Sequence, residues 1–358
     1  GRLVVCWAKT VTTEMPMTAG DVAGDKLYFV EMIDEVRSKL ARFAADSPIN
    51  RCFLQSRLDA ISAKIPANTI EELEWGCWQP LFLFVRNNSE AAIRAFDDDL
   101  RLVESHSITN GRKTFEFLRS ESEGAQPWAG GLFEVYVKAA ALRSTEVSNA
   151  SLDRRLTNGR RPDLKVDLGT RNVCIECTSL GESRASDERW GEHIESLQAD
   201  RDAVYCELQD AYTQSRRLYE KVFDKIAPKL NVHKSQLNDS GPNLLLITLD
   251  AVSSALTASS PASGWALDEM FASQPNGNRS PASLCNWLLL KRKQTQTISS
   301  SFDELLAALA SVSGILVFDG CKLGAARINY NADSDHMISH AEMAIIERIL
   351  SVSPLYAQ

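Results

Sequence analysis

The stretch that decides the fold is Arg160–Leu180, RRPDLKVDLGTRNVCIECTSL. Its spacing predicts two short strands joined by a tight turn. In the first, Asp163, Lys165 and Asp167 share one face, and Leu164, Val166 and Leu168 share the other. In the second, Cys174, Glu176 and Thr178 share one face, and Val173, Ile175 and Cys177 share the other. This is the alternation of half-buried strands. The Leu-Gly-Thr-Arg-Asn segment between them supplies the turn. A hairpin closed there lets Asp163 and Glu176 project from one sheet face. Two converging carboxylates suit a hard divalent cation. Such a cation stabilises charge and generates hydroxide in phosphodiester cleavage.

Each acid also has a plainer reading. Asp163 follows Pro162 and Asp167 precedes Leu-Gly, so either can cap a turn. Glu176 interrupts Val-Cys-Ile-Glu-Cys, a run otherwise suited to a sheet interior. A lone buried carboxylate is costly there, so it requires a cation, a partner or a solvated cleft.

Outward from this hairpin, the chain from about residue 111 reads as continuous α/β. Trp128–Arg143 is an expected helix, with Glu134 near its first turns, where an acid favours the helix dipole. Glu146–Asn149 is an expected strand. A long helix over Ala199–Leu230 follows, then the apolar strand LLLIT (244–248). Residues 258–282, rich in Ser, Pro, Gly and Asn, read as an excursion. Ser300–Val312 reads as a helix. ILVFD (315–319) and ARINY (326–330) read as a strand pair, and His340–Leu350 as a closing helix. Residues 1–110 form a mostly helical N-terminal region. Within it Asp25–Asp46 and Ser89–Ser105 are helical, with Ser89 as N-cap, and LFLFV (81–85) is a buried strand or short core segment. Trp75 and Trp78 fit either a ligand shelf or core packing. The role of this region stays open between substrate recognition, partner binding and cover for the sheet.

The 358 residues suffice for one large domain or two modest ones. The chain is 44% hydrophobic and 24% charged, an ordinary globular composition. No run of apolar residues is long enough to span a bilayer, so no membrane partner is expected. No secretory leader is read in the opening residues. The eight cysteines are scattered without framework spacing, which favours reduced thiols and a cytoplasmic location. Cys174 and Cys177 resemble CxxC but fall on opposite faces of one strand, which disfavours a zinc knuckle. A net charge of −8 argues against a broad basic surface that grips nucleic acid unaided, while leaving room for a local basic cleft.

One basic stripe stands out. Arg217, Lys221, Lys225 and Lys229 recur every four residues along the long helix. Acids at Glu207, Asp210, Glu220 and Asp224 share that helix, so the stripe is either a solvated face laced with ion pairs or a set of phosphate contacts.

The order of these pieces resembles the PD-(D/E)xK nuclease superfamily, with a restriction-endonuclease-like fold. Pro162-Asp163, a spacer, and Glu176-Cys177-Thr178 stand where the family has its motif, and the likeness covers roughly residues 128–250. The resemblance implies a core of helix, three antiparallel strands, helix and strand, in a mixed sheet flanked by helices, within an α/β domain over 111–358. It implies Mg2+, with Mn2+ as substitute, held by Asp163, Glu176 and the Cys177 carbonyl, with Glu134 orienting water or ligating. It implies hydrolysis of nucleic acid, DNA rather than RNA, with Arg217, Lys221 and Lys225 on phosphate. The motif lysine is absent: Thr178 replaces it and carries no charge. An ammonium would then have to come from Lys165 on the neighbouring strand, or from Lys221 or Lys225. The alternative is an inactive nuclease-like module that binds nucleic acid or a protein, its carboxylates paired with arginines such as Arg161 or Arg171. A homo-oligomer or a protein partner stays open.

Other chemistries find less support. His336 and His340 have the spacing for a shared zinc but lack the Glu of HExxH. There is no GxSxG elbow, phosphate-binding GxxxxGK[ST] loop or strand-linked GxGxxG.

Overall fold

The computed structural model describes residues 22–52, 59, 80–107, 125–153, 156, 162–180, 218, 222, 237, 241–249, 307–330, 332–352 and 354–357. Two compact units divide the chain. One comprises Gly1–Ala139 with Ser353–Gln358, and the other Ala140–Val352.

The described part of the first unit is helical: α1 (Val22–Leu40), α2 (Pro48–Cys52), α3 (Pro80–Asn87), α4 (Glu90–His106) and most of α5 (Ala125–Arg143), with a short 3-10 turn at Leu355–Ala357. The boundary between the units falls inside α5, which is one continuous helix. Ser89 caps α4 by accepting from the Ala92 amide, as its position in the sequence suggests. Of the two readings of 81–85, the strand is overturned and the short core segment holds. Leu81–Val85 lies in α3, and all five of these residues are buried. A helix buried on every side shows no polar face, so its sequence has no helical period to read. Phe84, Phe96 and Trp128 form the aromatic centre of this unit, with ring centroids 5.0 to 6.1 Å apart. Asp97 is buried among them in sequence and ties α4 to α2 by accepting from the Ile49 amide at 2.8 Å.

The second unit is built on a six-stranded mixed sheet, ordered β1 (Asn149–Leu152), β2 (Leu164–Asp167), β3 (Asn172–Leu180), β4 (Asn243–Leu249), β5 (Gly314–Asp319) and β6 (Lys322–Ile328). The sheet is flanked by helical segments: α6 (His340–Ile349), residues 307–310, and the buried helical residues Leu218 and Val222. The first three strands form an antiparallel meander. β4 runs parallel to β3, β5 parallel to β4, and β6 returns antiparallel to β5.

Two differences from the sequence reading matter. The first strand of the meander is Asn149–Leu152, not Glu146–Asn149. And β3 is buried along almost its whole length, not half-buried. It sits third in the sheet, paired on both edges, and a strand reached through a parallel crossover is covered on both faces. β2, nearer the edge, keeps the alternating burial its sequence predicts.

The strand ends are pinned by side chains. Asn243 links the starts of β4 and β5 through the Ser313 hydroxyl and the Ser311 carbonyl. Gly314 is required at the start of β5, because a Cβ there would stand 2.8 Å from the Arg327 carbonyl oxygen of β6. Among the described residues, no helix is long and apolar enough to cross a membrane.

Candidate metal centre

The β2–β3 hairpin forms with the register its turn dictates. Leu164 pairs with Ile175 and Asp167 with Asn172. Asp167 closes the turn, its carboxylate accepting from the Gly169 amide at 2.8 Å, and Gly169 takes a φ of 83°. Asp167 is thus the turn-capping residue that its plainer reading describes.

The other end of the hairpin gathers acids. β1 pairs with β2 up to Leu152 and Leu164, and the Asp153 amide then donates to the Asp163 carbonyl. Asp153, Asp163 and Glu176 therefore occupy one level across three neighbouring strands, one residue beyond the last registered pairs. All three are buried. Asp153 turns the chain with a φ of 50°, a left-handed conformation that aspartate tolerates better than most residues. Asp163 stands just before β2, and its Oδ2 accepts from the Cys177 amide at 2.9 Å. A charge-assisted bond to a main-chain donor fixes the carboxylate and lowers the cost of its burial.

Glu134 lies midway along α5, not in its first turns, so the helix dipole gives it little. Its carboxylate belongs with the same acids. One oxygen from each of Glu134, Asp153 and Asp163 falls within 4.8 Å of the others. Glu176 is buried but is not a member of that group. Three buried carboxylates at this spacing match the oxygen donors and distances of a hard divalent cation.

Lys138 is the residue the sequence reading missed. It is 0% exposed, and its ammonium lies 2.6 Å from a Glu134 oxygen. The four-residue spacing on one helix was the available signal. An ammonium buried this deeply persists by pairing, and here it partners one of the clustered acids. Lys165 sits on β2, half-buried and opposite Cys174. Thr178 is buried on β3, on the Glu176 side of the strand by alternation, and supplies no charge. Cys177 is buried, with its amide engaged by Asp163. Cys174 is also buried, which pushes its thiol up to about 11 despite the nearby Lys165, so it is no nucleophile. Arg217, Lys221 and Lys225 lie outside the described residues, as does Arg161.

Arg171 is engaged elsewhere. Its guanidinium grips Glu342 on α6 through Nε at 2.8 Å and Nη2 at 2.9 Å, and Thr170 adds a hydroxyl at 3.1 Å. Glu342 also completes a capping box with Ser339. The Arg171 hydrogen bonds come first among the causes that hold this carboxyl down to about 2, against the opposing effect of burial. The turn of the acidic hairpin is thereby fastened to the N-terminus of α6. His336 lies outside that helix and His340 begins it. Tyr330 stands 3.3 Å from the His340 ring nitrogen.

Comparison of the chain with protein-family models, with curated proteins and with solved structures finds no match.

Proposed function

We propose that the chain is a metal-dependent phosphodiesterase acting on nucleic acid, DNA rather than RNA, with a variant of the PD-(D/E)xK site. The observation that carries this reading is the convergence of buried Glu134, Asp153 and Asp163 beside Glu176. Glu134, Asp153 and Asp163 would hold Mg2+ or Mn2+, with Glu176 and the Cys177 carbonyl as further donors. Such a cation would supply Lewis acidity and a hydroxide at neutral pH.

The chain's own residues prepare that place. The Cys177 amide orients Asp163. Lys138 pairs with Glu134 and directs its carboxylate. The Arg171–Glu342 clamp steadies the hairpin that carries Asp163 and Glu176. In this reading the positive charge missing at Thr178 is borne on α5 instead. Lys138 acts as a positioning residue, because an ammonium with no exposure meets Glu134 and not the substrate. Substrate phosphates would be met by the basic stripe at Arg217, Lys221 and Lys225.

A second reading, an inactive nuclease-like module that binds nucleic acid or protein, is favoured by the uncharged Thr178 at the motif position. The test is cleavage of labelled single-stranded DNA, double-stranded DNA and RNA with Mg2+ or Mn2+, beside Asp163→Asn. Metal-dependent cutting that the folded variant loses supports the nuclease. Binding without cutting selects the module, and neither cutting nor binding overturns both.

A further inference from the structure

We propose that Arg327 guards the outer edge of the sheet, and that it keeps β6 from pairing with β6 of a second copy of this chain. β6 ends the strand order, with no strand beyond it among the described residues, and none of its own residues is buried. An edge of this kind offers its main-chain groups to any extended segment, a copy of itself included.

The hydrogen bonds to β5 show which groups face outward. The Asn329 amide donates to the Ser313 carbonyl, one step beyond the Gly314–Ile328 pair. Main-chain groups alternate in direction along a strand. Arg327 therefore turns its amide and carbonyl towards β5, and Ala326 and Ile328 turn theirs away. The Arg327 carbonyl agrees, since a Cβ on Gly314 of β5 would stand 2.8 Å from its oxygen. At the outward carbonyl of Ala326 the Arg327 side chain folds back, and its Nη1 donates to that oxygen at 2.9 Å. An approaching strand has to displace this guanidinium to reach the acceptor.

The second effect is charge. Val317 pairs with Ala325 and Phe318 with Leu323, which leaves Gly324 as a bulge in β6. The regular part of the edge is thus Ala325–Ile328. Two copies related by a two-fold axis have one antiparallel register that joins Ala326 of each to Ile328 of the other within this stretch. That register sets Arg327 directly opposite its own counterpart. The pair at its centre is of the kind without mutual hydrogen bonds, where side chains come closest. Like charges directly opposite destabilise such a pairing. The neighbouring registers are worse matched. Centred on Ala326, they bring Ile328 against the bulge at Gly324. Centred on Ile328, they carry Ala326 past the end of the strand, to Tyr330.

Hydrogen exchange and sedimentation velocity on the full chain test this. In the wild type, the amides of Ala326 and Ile328 should exchange at least about tenfold faster than those of Arg327 and Asn329, which face β5. Arg327→Val removes both the cap and the charge. It should sediment as a dimer of the wild-type species, and its Ala326 and Ile328 amides should slow at least about tenfold. Outer amides as slow as the inner ones in the wild type overturn the proposal. So does a valine variant that sediments as the wild type, or a dimer whose outer amides still exchange fast. If the valine variant does not fold, Arg327→Thr, a polar residue that suits a strand, gives the same two readings.

Discussion

Replacing Asp163 by asparagine and by alanine separates two tasks of one side chain. Its Oδ2 accepts the Cys177 amide at 2.9 Å, on a strand buried along nearly its whole length. Alanine deletes the acceptor and leaves that amide without it, a loss of about 1–3 kcal/mol. Asparagine is nearly the same shape, and its carbonyl oxygen can take the same bond. What asparagine removes is the charge. Asp153 and Glu134 bring carboxylate oxygens within 4.8 Å of Asp163, so losing one charge relieves like-charge repulsion. In chelator, Asp163→Asn should therefore be at least as stable as the wild type, and Asp163→Ala less stable by about 1–3 kcal/mol. The order changes when Mg2+ or Mn2+ is added. A site at a hundredfold excess over its dissociation constant gains about 2.7 kcal/mol, which the wild type should show and the asparagine variant should lose. Urea unfolding followed by tryptophan fluorescence, with and without cation, reads all of these values. Asparagine as damaging as alanine in chelator would refute the hydrogen-bond argument. Equal cation stabilisation of wild type and asparagine variant would refute the role of Asp163 as a ligand.

Two further perturbations probe the supports of the site. Lys138→Met removes the ammonium that pairs with the buried Glu134 carboxylate and should cost about 3–5 kcal/mol in urea unfolding, with much of it recovered in Glu134→Gln/Lys138→Met, where both charges are gone. A single variant within about 1 kcal/mol of the wild type would show that this pair does not hold α5. Glu342 has its carboxyl lowered from an ordinary 4.5 to about 2, chiefly by Arg171. A folded-state value below the unfolded one gives stability that is complete above about pH 5 and lost as pH falls through about 2. The shift sets a ceiling of about 3 kcal/mol. Solvent at Arg171, 36% exposed, reduces this to about 1–2 kcal/mol. Glu342→Gln should lower stability by that amount at pH 7, and the deficit should vanish near pH 2. A deficit that persists at pH 2 would assign the effect to packing instead of charge.

The strands were legible wherever a period or a turn marked them. The hairpin of Arg160–Leu180 announces its register because Asp167-Leu-Gly fixes the turn and the alternation fixes the faces. LLLIT and ILVFD stand out as apolar runs between turn residues. Their neighbour β6, however, starts at Lys322, four residues before the expected ARINY, because the chain already turns at Gly320-Cys321, inside the expected connection. α3 was not legible, because five consecutive apolar residues suit a buried strand and a helix buried on all sides equally well. The Ser89 cap was legible because capping is local chemistry.

The site was legible only as far as one hairpin reaches. Asp163 and Glu176 share a level because the turn between them is short. Asp153 reaches that level through the β1–β2 register, set across residues 153–163, and through its own left-handed backbone. Neither leaves a periodic trace in the sequence. Lys138 did leave one, four residues from Glu134 on a predicted helix. Its significance depends on burial, which spacing alone does not give. Under the proposed nuclease reading, that burial changes the weight of the lysine absent at Thr178. A cation need not follow the acid along a strand if a helix delivers an ammonium to another acid of the same cluster. Clustering buried carboxylates costs desolvation and mutual repulsion, and Lys138 offsets part of that cost from the Glu134 side. A divalent cation would offset the rest from the Asp153 and Asp163 side. Thr178 is then the residue that such an arrangement permits: an uncharged side chain on β3, where a second buried ammonium would compete with the cation for the same carboxylates.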